Sequence, residues 1–559
     1  MANSLRLLII GGAGTFGRRI ASLLGKERGL EIVLAGRKLK RLAAVSAALN
    51  KEGAKSTPLA LNLARDDLAQ IIAEQRIDLV IHTAGPFQAQ NFDVPRACIR
   101  AGADFIDLAD SIAYVTRITR LDAAAKQAGR AIISGASTVP ALSSAVVEAL
   151  SQGLVNPNSV TTRITPGNRA PRGRAVVASI LSYVGRPIPG WNDGLPIKRI
   201  GWSELHRRTL SIPGVRPLRG RWFAACEAPD LELFPTHYAG LKRVAFFAGL
   251  EIGSLHLGLW LLSWLPRKGV VRSLRPATGF LRFIALLFRP FGSDRGGMSV
   301  EVEGRIKEGC AVTRRWTLIA EAGDGPFVPC LAAVIFVRRR LAGESLPLGA
   351  QPCLGMITLP EFEHAMARLR IRTGREEESL PLYRRVLGES FGRLPTAIQA
   401  MHDVDVAKQA RGETTVRRGH NPVARLIASI LDLPKAGQTS IEVTFTPDQG
   451  HETWSRRFGQ TRFQSVQCLN RGPAPDRLLE RYGPLVVSFE LQAGVSELRL
   501  IPHRAWLGAI PLPRAVARGI VGTERVTIDG NFEFDVRVAL PLIGDVVQYR
   551  GHLGAPKPI

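Results

Sequence analysis

A chain of 559 residues, 45% hydrophobic and 22% charged, has material for two or three domains and is too apolar for extended disorder. Its formal net charge of +26 draws anions, whether nucleic acid, anionic lipid or phosphorylated ligands, but the arginines are spread along the whole chain and no nucleic-acid motif appears, so no nucleic-acid partner is expected. Six scattered cysteines without a CxxC pair offer neither a zinc site nor a disulfide framework, which fits a reducing cytoplasm, and with the sequence running straight into its first strand no signal peptide is expected.

The first element is an apolar strand, Leu5 to Ile10, running into Gly12-Ala13-Gly14-Thr15-Phe16-Gly17. Glycines at this spacing, between a buried strand and a helix with an apolar face (Phe16, Ile20, Leu23, Leu24), are those of a dinucleotide-binding turn. One turns the chain, one lets the pyrophosphate approach the backbone, and one lets helix pack on strand. The second strand, Leu30 to Ala35, ends at Gly36, where an NAD site would place a carboxylate for the ribose 2′-hydroxyl. Arg37, Lys38 and Lys40 follow instead. A guanidinium beside a bare glycine suits a 2′-phosphate and favours NADP(H); the same cations also fit the solvated start of a surface helix. Further strands at 78–82, 103–107 and 130–134 complete the alternation of a Rossmann-type doubly wound parallel sheet over residues 1–145.

Ligands of such sheets lie beyond the carboxyl ends of the strands. Ala84, Gly85, Pro86 and Phe87 are therefore expected beside the nicotinamide, with Asp110, Asp107, His82 and Ser137 as candidate proton donors, Asp110 first. Each has a plainer reading: either aspartate as a helix cap, Ser137 as an N-cap, His82 as a core histidine.

From 146 to 363 the pattern is that of an α+β substrate or cover domain, with strands at 298–305 and 311–321 joined by Lys307-Glu308-Gly309 and a helix from Cys330 to Leu341. Inside it lies an apolar tract, 244–291, with arginines and lysines in its second half. A buried or dimer-interface helix, a segment lying on an anionic membrane, and a spanning helix are all compatible with its length; Glu251 and His256 weigh against the span. Residues 364–379, charged and poor in apolar residues, read as a linker. From 380 to 559 a helical pattern at 382–406 gives way to short strands at 440–445, 452–458, 486–490, 497–500, 526–528 and 531–540, the pattern of a closed or sandwiched antiparallel sheet.

GGAGTFG at the first turn, AGR at Ala35–Arg37, HTAGPFQAQ at His82–Gln90, ACIRAGADFIDLAD at Ala97–Asp110 and SGASTVPALSS at Ser134–Ser144 together resemble the NADP-binding domain of the saccharopine dehydrogenase-like oxidoreductases. The likeness continues loosely through TPGNRAPRG at Thr165–Gly173, LSYVGRP at Leu181–Pro187 and GDGPFVP at Gly323–Pro329. It implies a middle domain over the cofactor cleft, with Arg169, Arg172 and Arg186 placed to clamp a carboxylate or phosphate. The segments 382–395, 418–428, 452–459 and 540–551 resemble DUF4166, an uncharacterised domain fused behind such oxidoreductases, which implies no activity. Together these readings indicate an NADP(H)-dependent oxidoreductase, a reductase of a carbonyl, imine or enone on a small or lipid-linked substrate. It would be cytoplasmic, with an anionic membrane surface and a homodimer as the partners to test. The alternative is a membrane-surface lipid-binding or redox-sensing protein without turnover.

Overall fold

Leu7, Leu8, Ile9 and Ile10 are buried, as a run without alternation requires of a central parallel strand covered on both faces. The computed structural model describes all residues except 1–3, 156, 171–172, 307–310, 405, 431–432, 449–450, 470–476, 509 and 528–529. These form two units, one comprising 1–152, 156–304 and 314–376, the other 153–155, 305–313 and 377–559.

In the first unit, β1 (Leu5–Ile10), β2 (Leu30–Gly36), β3 (Ser56–Ala60), β4 (Leu79–His82), β5 (Asp104–Asp107) and β6 (Ala131–Ser134) build a parallel sheet in the order β3-β2-β1-β4-β5-β6. The order reverses between β1 and β4, where the crevice of a doubly wound sheet opens. A seventh strand, Gly349–Pro352, comes from far along the chain and pairs parallel to β6.

A second, mixed sheet covers this crevice. Its strands are β7 (Ser159–Thr165), β8 (Pro187–Asn192), β9 (Leu195–Ile200), β10 (His206–Ile212), β11 (Val215–Ala225), β12 (Arg243–Ala248), β13 (Gly296–Arg305) and β14 (Ala311–Ala320), with Ile371–Ser379 on the far edge. The main path runs β10-β11-β12-β7-β13-β14-371–379, and β8 and β9 form a hairpin against β12. The expected β13–β14 turn at Lys307-Glu308-Gly309 lies outside the described residues. The segment 364–379 is not a linker: a short helix ends at Met366 and the edge strand 371–379 follows. Its charges misled because an exposed edge strand carries the same residues that a linker does.

The apolar tract is not one helix. Val244 to Ala248 belong to β12, between β7 and β11, with Val244 to Phe247 buried, and Gly249, Glu251 and Gly253 break the run before helices at Gly253–Leu262, Trp264–Arg267 and Thr278–Leu287. No helix among the described residues is long and apolar enough to cross a membrane. Glu251 accepts from the backbone N–H groups of Asn168 at 2.6 Å and Ser293 at 2.8 Å and pairs with Arg221 at 3.0 Å. Burial alone would push its carboxyl up, but these donors hold it below the usual range. His256 is buried against Trp202, and burial lowers its pKa to about 4.

The second unit is a closed antiparallel barrel. Lys408–Arg418 pairs with Gly437–Asp448 on one side and with Gly544–Leu553 on the other, so the first and last long strands meet and no long edge is left. The expected strand at 526–528 lies earlier, at Ile520–Val526, and Ile528 is outside the described residues. Inside, Arg456 reaches Ser465 at 2.8 Å and Glu480 at 3.2 Å, both partners buried. Arg456→Met leaves the Glu480 carboxylate buried without its counter-ion and should cost about 3–5 kcal/mol. Thermal unfolding should show the corresponding fall in Tm, with Arg456→Met/Glu480→Leu recovering part of it; an unchanged Tm in the single variant would refute the assignment.

Candidate functional site

The nucleotide turn is built on four glycines, not three. Gly11, at φ +84°, makes the left-handed turn that sequence spacing assigned to Gly12, and a Cβ there would meet Thr83 Oγ1 at 2.7 Å. Gly12 lies flat on β2, where a Cβ would sit 3.0 Å from Leu34, and a Cβ on Gly17 would run into the Gly11 carbonyl oxygen, so both serve helix–strand packing. Gly14 faces the crevice, and its Cβ would come 2.9 Å from the Gly11 carbonyl oxygen. Beyond β2, Arg37, Lys38 and Arg41 are exposed, line the crevice and engage in no ion pair among the described residues. A backbone cradle that side chains would fill, with unpaired cations at its far end, fits a phosphorylated dinucleotide.

The crevice continues into a single cavity of about 1730 Å³ within the first unit. Ala13, Gly14, Thr15, Phe16, Gly36, Arg37 and Lys38 line one end, and Ala84, Gly85, Pro86 and Phe87 line its middle. Asp110, Ser137, Ser179, Tyr183, Cys226 and Glu227 gather beyond them. Gln88 Nε2 donates to Asp110 at 3.3 Å and to Ser179 Oγ, and the Tyr183 hydroxyl lies 2.7 Å from Cys226 Sγ. Asp110 is exposed on the cavity, and desolvation by the protein around the cleft raises its pKa. Glu227 is raised by desolvation first and by the Asp110 charge second. Burial lifts the Cys226 thiol to about 12 and the Tyr183 phenol well above its ordinary value. Apolar residues, among them Ile180, Phe246, Leu255, Leu259, Leu281 and Ile284, make up much of the remaining lining.

Of the proposed proton donors, Asp110 and Ser137 line the cavity, whereas His82 and Asp107 do not. His82 is fully buried between Phe87 and Phe105, its Nε2 2.9 Å from Gln90 Oε1, and burial lowers its pKa to about 4, so it is a neutral core histidine. One Asp107 oxygen accepts from Ser134 Oγ and the N–H groups of Ala109 and Gly135 at 3.0, 2.9 and 2.8 Å. That ties the ends of β5 and β6 together while burial pushes its pKa up to about 6. Neither Ser137 nor Ser111 makes a side-chain cap bond. Arg169 lines the cavity and donates to the Pro290 carbonyl at 3.2 Å; Arg186 is exposed elsewhere, and Arg172 is outside the described residues. Gln88, Ser179, Tyr183, Cys226 and Glu227 were not legible as a group, although Tyr183 stands inside the LSYVGRP motif.

Residues 7–133 match the family model of the saccharopine dehydrogenase NADP binding domain, and residues 394–553 match DUF4166, a domain of unknown function. Among solved structures, an apo saccharopine dehydrogenase (L-Glu forming) from Saccharomyces cerevisiae is similar at TM-score 0.48 and 13% identity, over 67% of this chain and 100% of that one. An amine dehydrogenase from Mycobacterium smegmatis is similar at TM-score 0.33 and 13% identity, over 62% and 94%. No curated protein matches the chain. The nucleotide domain therefore binds NADP(H) and is of oxidoreductase type. Arg37→Ala should remove a charge-assisted contact to the 2′-phosphate and weaken NADPH by about 1.5–3 kcal/mol, or roughly 10- to 150-fold, with little effect on NADH. Calorimetry giving equal losses for both cofactors would refute that role.

Proposed function

We propose that the chain is an NADPH-dependent reductase of an apolar substrate carrying a carbonyl, imine or enone. The observation that supports this most is that one cavity is lined by the glycine turn, by a cluster of protonatable groups and by apolar residues. NADPH, when bound, supplies a hydride to one atom of the double bond. The other atom needs a proton, and Asp110 is the open carboxyl of the cluster, kept protonated to higher pH by its surroundings. Gln88 orients it through the 3.3 Å bond, and Glu227 and Tyr183 line the same cavity. The apolar walls take the body of the substrate and exclude solvent. No cluster of metal-ligating side chains occurs among the described residues.

The test is NADPH consumption by the full-length protein, offered long-chain ketones, imines and enones in parallel with water-soluble 2-oxo acids. Turnover is expected for a chain-bearing substrate and lost in Asp110→Asn. Tight NADPH binding with no consumption in any of the three classes would overturn the reading in favour of a binding or redox-sensing role.

A further inference from the structure

The helices 253–262 and 278–287 have two apolar faces where a surface helix normally has one. Leu255, Gly258 and Leu259 on the first, and Leu281, Ile284 and Ala285 on the second, line the cavity. The opposite side does not turn polar. Leu261 is 65% exposed, Phe280 66% and Phe283 58%, with Val270, Leu287 and Phe291 exposed alongside. On helix 253–262 only His256 is buried. Exposed large apolar side chains gathered on one stretch of chain in this number point to a contact with a partner or a membrane.

Charge says which. Between Glu251 and Asp294 the chain has no aspartate or glutamate, and it carries Arg267, Lys268, Arg272, Arg275, Arg282 and Arg289. None of the six forms an ion pair among the described residues. Arg267 and Lys268 sit over the Trp264 ring at 4.7 and 5.9 Å, an aromatic body with cationic flanks of the kind that settles at a bilayer interface. A second copy of this chain would bring the same unpaired cations against each other. An anionic bilayer complements both the charge and the apolar surface.

The two faces meet at one edge. Arg282, Leu286 and Arg289 line the cavity and are also exposed to solvent, so the cavity opens where the apolar, cationic surface lies. We infer that residues 253–291 dock the protein on an anionic membrane surface, with the cavity mouth held against the lipid so that a bilayer-resident lipid substrate reaches Asp110 without crossing water. Docking stands on surface and charge alone; delivery of the substrate rests on the reductase reading.

The test is flotation of the full-length protein with vesicles of phosphatidylcholine alone or mixed with phosphatidylglycerol, at low and high salt. Co-flotation is expected with the anionic vesicles only. It should fall steeply with salt, because the Debye length shrinks from about 10 Å at 0.1 M to about 3 Å at 1 M. Phe280→Ser and Phe283→Ser, neither of which lines the cavity, should each lower partitioning by about 10-fold or more, while NADPH affinity and Tm stay unchanged. Absence of binding to anionic vesicles overturns docking, as does equal, salt-insensitive binding to neutral ones. A dimer in sedimentation that Phe283→Ser dissociates would instead place a second copy on this face. Turnover on dispersed substrate but none on vesicle-held substrate would overturn delivery alone, and flotation without turnover on either would overturn the reductase reading while leaving docking intact.

Discussion

Gly14→Val should lower NADPH affinity by at least about 100-fold, equivalent to roughly 2.7 kcal/mol, beside a loss of stability from the strained turn. The position lines the crevice, and a Cβ there already comes 2.9 Å from the Gly11 carbonyl oxygen. The obstacle is backbone held by β1, so it has no rotamer through which to escape. The branched carbons of valine would then stand where the pyrophosphate approaches. Gly14→Ala should show a smaller loss of the same sign. Calorimetry with NADPH, beside a melting curve, separates loss of the site from loss of the fold. Near-native affinity in Gly14→Val would mean that the turn is structural only.

Asp110→Asn should lower kcat by about 10² to 10⁴-fold and leave the Kd for NADPH nearly unchanged, because a proton donor acts in the transition state. The pH dependence follows from the direction of the shift. Desolvation in the cleft raises the Asp110 pKa, so the acid form, which donates, persists above the usual carboxylate range near about 4. The rate should be full below the raised pKa and fall as pH rises through it. Asp110→Asn should lack that limb. Glu227→Gln should retain it, because the rise at Asp110 comes from desolvation and not from the Glu227 charge. Unchanged turnover in Asp110→Asn, with substrate and cofactor saturating, would assign the proton to another donor.

The parallel strands were readable because strands covered on both faces are apolar over most of their length, and past Arg6 and Glu31 near their starts Leu7–Ile10 and Ile32–Ala35 are. Ser56–Ala60 escaped notice because it is the outer strand of the sheet, mostly exposed and carrying a proline, and Gly349–Pro352 because four residues ending in proline show no periodicity. The cofactor end of the site was equally legible, being local: glycines next to a strand, cations after the next strand. The catalytic corner was not. Tyr183 ends one helix, Cys226 and Glu227 follow β11, and Asp110 follows β5; only tertiary folding joins them. His82 and Asp107 fall just short of the crevice. The last residue of a strand still packs within the sheet, and the lining begins one residue later, at Thr83 and Leu108.

The strand at Gly349–Pro352 bears on whether the nucleotide domain is a separable module. Its Gly349 N–H bonds the Arg130 carbonyl at 3.0 Å, and the Cys353 N–H bonds the Ser134 carbonyl at 2.7 Å, so this late strand caps an edge that the first 145 residues leave bare. A protein truncated after residue 145 would keep every glycine of the turn and every cation beyond it, yet end in an apolar edge, Ala131 to Ser134, open to pairing with another molecule. On the ribosome that edge stays open while some two hundred further residues are made. Grafting the nucleotide domain onto another protein would therefore require carrying this strand along or breaking the β6 edge with a charge.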